Sequence, residues 1–149
     1  MAAELGRAHA PETSVRLLLD TCAFIYLATG GVMRPEAVEA VATALDADEV
    51  AASPVTAWEL GKLVSRGRLR LTDEPFQFFN GLIAKPGFKL CELTPEILVK
   101  ASFLPDSAHK DPMDQILIAT ARALDLTLVT DDRAILAYGA EGHVKTLAC

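Results

Sequence analysis

The sequence predicts an α/β fold: an α/β/α sandwich around a central, mostly parallel sheet of four to five strands. Three observations predict it. Short apolar runs at 15–19 (VRLLL) and 126–130 (LTLVT) have the length and continuity of strands buried on both faces. Longer segments between the apolar runs carry apolar residues at helical spacing, several of them opened by proline. The two kinds of segment alternate along the chain. Parallel neighbours require crossover segments, and right-handed crossovers place helices on both faces of a sheet. The 149 residues fit one domain, read as 15–149 behind a flexible N-terminal extension, 1–14, rich in Ala, Gly, Pro and Ser.

The first strand, 15–19, runs straight into Asp20. A helix over 21–29 follows, stopped by Gly30 and Gly31. Pro35 opens a helix at 36–48 with Val38, Val41, Ala42 and Leu45 as its apolar stripe. A short strand at 49–53 leads to Ser53-Pro54, an N-cap followed by proline at the first helical position. That helix carries Trp58, Leu60 and Val64 to about Ser65, and Gly67 ends it. Pro75 begins another helix, with Phe76, Phe79 and Ile83. A strand at 88–92 and a helix at 94–102 precede the strongly apolar helix from Pro112 to Leu124. Then come the strand at 126–130, a short helix at 132–138 and a final strand at 143–147, placed at an edge.

Composition narrows the function classes. At 51% hydrophobic and 23% charged the chain is globular, not disordered. Three cysteines, Cys22, Cys91 and Cys149, with no C-x-x-C spacing, argue against a disulfide framework or a zinc knuckle. Residues 1–14 carry Glu4 and Glu12 and no apolar block, so they do not read as a signal peptide, and no run is long enough to span a membrane. The expected setting is cytoplasmic, with reduced thiols. The net charge of −6 argues at first sight against a nucleic-acid partner.

The acids repay closer attention. Asp20 ends the first strand, and Asp131 and Asp132 end another. Glu59 lies in the helix after the strand at 49–53, and Asp111 and Asp114 flank Pro112. In a parallel sheet these positions share one rim, where ligands of such sheets bind. Clustered carboxylates cannot all stay ionised uncompensated, and the usual compensation is a hard divalent cation such as Mg²⁺. Such a cation supports phosphodiester cleavage by lowering the pKa of a bound water. Each acid also has a plain alternative. Asp20, Asp111 and Asp132 suit helix N-caps, Asp114 suits a first helical turn, and Glu59 suits a solvated helix face.

From 16 to 148 the chain resembles the PIN-domain family, and within it the short VapC-type toxins of toxin–antitoxin pairs. The matching blocks are LLLDTCAFIYLA, SPVTAWELGKLVSRGRL, HKDPMDQILIATARALDLTLVTDDRAIL and GHVKTL, in the family's order. The resemblance implies that Asp20, Glu59, Asp114 and Asp132 are the family's four acids and hold Mg²⁺, or Mn²⁺ as the alternative. Thr21, Asp111, Thr130 and Asp131 would assist them. It implies an endoribonuclease in which a metal-activated water attacks a phosphodiester of structured RNA, tRNA or rRNA, so inhibiting translation. It further implies a VapB-like antitoxin partner and a homodimer. Gln115 departs from the pattern, since many members carry Arg after the third acid.

Lys62, Arg66, Arg68 and Arg70 cluster on and after the Glu59 helix, and Lys110 and Arg133 adjoin Asp111 and Asp132. The RNA-contacting set is read as Lys62, Arg66, Arg68, Lys110 and Arg133; Arg66–Arg70 also suits a solvated helix end. Trp58, Phe76, Phe78 and Phe79 fit core or partner packing better than base stacking. His109 has no second His at ligand spacing and is not counted as a ligand. Cys22 has no paired base to make it a nucleophile. Two other classes compete: a non-catalytic acidic-cleft domain that binds metal or protein, and a phosphotransfer domain built on Asp20. The second needs another Asp two residues on, where Cys22 stands. Two bound divalent ions would add four positive charges to the net −6, which ties RNA binding to divalent metal.

Overall fold

The computed structural model describes residues 15–106 and 109–149, so the extension at 1–14 lies outside the described residues. Five strands are described: β1 (Leu17–Leu19), β2 (Val50–Ala52), β3 (Phe88–Leu90), β4 (Thr127–Thr130) and β5 (Thr146–Ala148). They form one parallel sheet in the order β3-β2-β1-β4-β5. The helices between them are α1 (Thr21–Thr29), α2 (Pro35–Asp46), α3 (Pro54–Ser65), α4 (Pro75–Ile83), α5 (Pro95–Ala101), α6 (Pro112–Leu124) and α7 (Arg133–Ala140). This is the α/β/α arrangement that the alternating pattern predicts.

Side-chain alternation in β1 divides the core into two layers. Leu17 and Leu19 face Phe24 of α1, Val41 of α2 and Phe79 of α4. Leu18 faces the other way, into Leu117 and Ile118 of α6 and Ile135 of α7. All three leucines are fully buried, and Leu18 sits in register with Ala51 of β2 and Leu128 of β4. Proline stands at the first turn of five helices, α2 to α6, where its missing N–H costs nothing and its fixed φ suits the helix. Gly87, between α4 and β3, is needed on two counts. Its φ is +90°, and a Cβ there would lie 2.6 Å from the Leu45 carbonyl oxygen.

Several local expectations are corrected. In α2 the inward face is Ala37, Val41 and Ala44, while Val38 and Ala42 are exposed. Small alanines let the helix lie close to the sheet, so the stripe turns away from the bulkier Val38. The last strand begins at Thr146, not 143, because α7 continues to Ala140 and His143 stacks on Tyr138 at 4.5 Å. Phe79 is core, stacked on Phe24 at 5.1 Å, and Phe78 is half-buried against the same ring. Trp58 and Phe76, by contrast, are 55% and 65% exposed, so neither packs in the core, and of the core-or-partner reading only the partner half is left. Among the described residues no helix is long and apolar enough to cross a membrane.

Candidate functional site

β1 and β4 lie side by side at the point where the strand order reverses, the place where parallel α/β sheets open a crevice. Both strands leave the sheet there into aspartates. Asp20 follows β1, and its backbone N–H still pairs with the Val129 carbonyl at 3.0 Å. Its Oδ1 accepts from the Ala23 N–H at 2.7 Å and caps α1. Asp132 follows β4 and caps α7 through Oδ1, which accepts from the Ile135 N–H at 3.0 Å. Asp111 caps α6 by accepting from Met113 N–H at 2.8 Å and Asp114 N–H at 3.4 Å. Asp114 then sits in the first turn of α6, where the helix dipole favours a carboxylate. Capping and clustering are therefore one arrangement, not alternatives.

Glu59 reaches the same rim from α3, where its Oε1 accepts from the Thr21 hydroxyl. The electrostatics register the convergence. Asp20 is only 6% exposed, and burial pushes its carboxyl up to about 6. Hydrogen bonds from Ala23 and Thr130 pull it down, and the charges of Asp131 and Glu59 push it up. Asp114 is pushed up to about 7, first by burial and then by Asp111, Asp132, Glu59 and Asp20. Thr130 serves both central acids, since its Oγ1 also accepts from the Asp132 N–H at 3.0 Å. Asp131 turns toward α1 and accepts from the Tyr26 hydroxyl at 3.0 Å, which holds that phenol up at about 12.

His109 belongs to this cluster, which its isolation in the sequence hid. Its Nε2 lies 3.3 Å from Asp114 Oδ2 and 3.6 Å from Asp132 Oδ1, and one ligand atom from each of the three residues falls within 4.8 Å of the others. The signal that could have found it is the run His109-x-Asp111-x-x-Asp114, a cap and first turn that fold the preceding loop back over the helix start. Gln115 secures that loop, donating from Nε2 to the His109 carbonyl at 2.7 Å. The set fits a hard divalent cation: oxygen donors dominate, and Asp20 and Asp114 carry the mutual repulsion and burial that a cation relieves. Cys22 does not fit a nucleophile. Burial, with Asp20 and Asp131 beside it, holds its thiol up at about 12.

Of the basic residues, Lys62, Arg66 and Arg68 line a cavity of about 310 Å³ whose walls include Glu59, Asp111 and the Trp58 ring. Lys62 Nζ stands 4.8 Å from the centre of that ring. Lys110 and Arg133 are exposed beside Asp111 and Asp132 in the chain. A larger groove of about 770 Å³, bordered by Arg122, Asp125 and Lys145, contains none of the clustered acids.

The comparisons with known proteins can be set against this geometry. No curated protein matches the sequence. Solved structures share the fold at low identity. The VapBC2 complex of Rickettsia felis, bound to a promoter DNA fragment, gives a TM-score of 0.65 at 13% identity over 90% of this chain and 98% of that one. DNA-bound VapBC from Salmonella typhimurium gives 0.63 at 15%, again over 90% and 98%. A toxin–antitoxin complex from Klebsiella pneumoniae gives 0.51 at 24%, over 78% and 86%. The family model of the PIN domain matches residues 17–141. That match runs from the first residue of β1 past the end of α7 and encloses every acid of the cluster, and on that span the chain belongs to the PIN domain family.

Proposed function

We propose that this protein is a Mg²⁺- or Mn²⁺-dependent endoribonuclease, the VapC-like toxin of a toxin–antitoxin pair, which cuts structured RNA such as tRNA or rRNA and thereby arrests growth. The observation that carries this reading is the convergence of Asp20, Glu59, Asp114 and Asp132 from four distant segments, with the Asp20 and Asp114 carboxyls held up first by burial and then by neighbouring acids. These four would hold the cation, with His109 Nε2 facing Asp114 and Asp132. When bound, a divalent cation lowers the pKa of a water and offsets phosphate charge. The chain's own residues do the positioning. Thr21 orients Glu59, and Thr130 fixes Asp20 and the Asp132 backbone. Lys62, Arg66, Arg68, Lys110 and Arg133 supply charge for RNA phosphates around the cleft. A VapB-like antitoxin belongs to the same reading, supported by the VapBC complexes that share this fold; a homodimeric state and a cytoplasmic setting are proposed with it. Phosphotransfer at Asp20 is disfavoured, because Cys22 stands where a second acid is needed.

The test is cleavage of total tRNA and rRNA by purified protein with Mg²⁺, paired with expression in bacteria lacking the partner. Wild type should cut RNA and stop growth. Asp114→Asn and Asp132→Asn should each lower cleavage by about a hundredfold or more and restore growth. Equal toxicity of the Asn variants would sink the metal-site reading and favour a non-catalytic acidic cleft.

A further inference from the structure

The cavity beside Trp58 is explained neither by the acid cluster nor by the core. Trp58 is the one tryptophan of the chain, and it sits on α3 next to Glu59 with 55% of its surface exposed. Beside a cavity, an open indole offers a ligand a flat apolar face with a polar edge. Its surroundings identify the ligand. The cavity lining combines the apolar Leu63 and Met113, the cationic Lys62, Arg66 and Arg68, and Glu59 and Asp111 of the acid cluster. Apolar lining with a π-face suits a flat heterocycle, the three cations suit flanking phosphates, and the acids place both beside the proposed cleavage site. At about 310 Å³ the cavity suits one unstacked nucleotide and not a duplex. Lys62 already lies over the Trp58 ring at 4.8 Å, close enough for a cation–π contact. Its flexible chain can move from the ring to a phosphate when a base takes its place.

We propose that this cavity is a nucleobase subsite: Trp58 stacks an unpaired base of the RNA strand, and Lys62, Arg66 and Arg68 hold the phosphates on either side of it. The subsite would make the enzyme select a single-stranded or flipped nucleotide next to the bond it cuts. This inference rests on the ribonuclease reading and goes beyond it.

Because Trp58 is unique, its own fluorescence reports occupancy. The Asp20→Asn protein, used so that RNA survives titration, is mixed in Mg²⁺ with a six-nucleotide oligoadenylate. Binding is followed separately by anisotropy of a labelled copy, and an abasic hexamer with the same phosphates serves as the control. The subsite predicts quenching of Trp58 emission with the same midpoint as the anisotropy change, and none from the abasic hexamer. Adding Trp58→Ala should weaken oligoadenylate binding by about five- to a hundredfold, leave abasic binding unchanged and leave the thermal melt unchanged. Trp58→Phe should recover most of the affinity. If oligoadenylate binds while Trp58 emission and the Ala variant's affinity stay constant, the subsite is refuted and the ribonuclease reading survives. If Trp58→Ala instead abolishes binding of a protein partner and leaves RNA affinity intact, the face belongs to that partner and the subsite is again refuted. If no RNA binds at all, both ideas fall.

Discussion

Replacing Asp20 by Asn should make the metal-free protein more stable while abolishing its activity. Asn caps helices about as well as Asp, so the hydrogen bond from the Ala23 N–H is retained. What disappears is a buried negative charge. The carboxyl moves from 3.8 to about 6 on folding. The folded state therefore holds this proton more tightly than the unfolded chain. The associated stability is present below about pH 4 and is lost as pH rises through about 6. At pH 8 the ionised carboxylate costs the fold about 3 kcal/mol, at 1.36 kcal/mol per pH unit. Asn escapes this cost, less a fraction for the weaker acceptor it offers Ala23 and Thr130, leaving a net gain of about 2–3 kcal/mol. For a chain of this size that raises Tm by about 4–12 °C. Differential scanning calorimetry in EDTA at pH 8 and at pH 4 measures it. The gain should appear at pH 8 and vanish at pH 4. A variant less stable than wild type at pH 8, or an equal gain at both pH values, would refute the claim that burial and neighbouring acids strain this carboxylate.

Three further outcomes follow from the same geometry. Mg²⁺ or Mn²⁺ should raise the Tm of the wild-type protein more at pH 8 than at pH 5.5, because Asp20 and Asp114 must shed protons held up to about 6 and 7 before they can serve a cation; RNA cleavage should rise through the same window. Thr21→Val removes the donor to Glu59 and should lower the cleavage rate by about tenfold with the melting curve shifted by less than about 1 kcal/mol, which single-turnover kinetics beside calorimetry would show. Gly87→Ala forces a Cβ to within 2.6 Å of the Leu45 carbonyl oxygen at a φ of +90° and should cost about 2 kcal/mol or more, read as a fall in the urea midpoint.

The architecture was legible in the sequence because its punctuation is local. Prolines at 35, 54, 75, 95 and 112 and caps such as Ser53 and Thr94 mark helix starts by a mechanism that needs no tertiary information. The acids were legible as a group for a related reason: an aspartate directly after a buried parallel strand can only emerge at the strand's carboxyl end. What escaped was whatever depends on how far a helix is rolled or a loop folded back. Val38 and Ala42 read as a core stripe because apolar spacing alone does not say that Ala37 and Ala44 allow the closer approach. His109 read as isolated because its partners are brought to it by the turn into α6 and by β4, 23 residues downstream at Asp132. Trp58 read as core or partner packing, undivided, because hydrophobicity does not distinguish a ring that fills the interior from one that waits at its edge.

The pairing of β1 with β4 has a consequence for the order in which the acid cluster assembles. It joins Leu17 to Thr127 at the centre of the sheet, with most of the chain between them. No fragment lacking residues 127–132 contains both Asp20 and Asp132, and a chain still emerging during synthesis carries Asp20 and Glu59 well before its last acid exists. Contacts of such long sequence separation close late. Products interrupted before residue 132 therefore lack one acid of the cluster, which is complete only once β4 docks against β1.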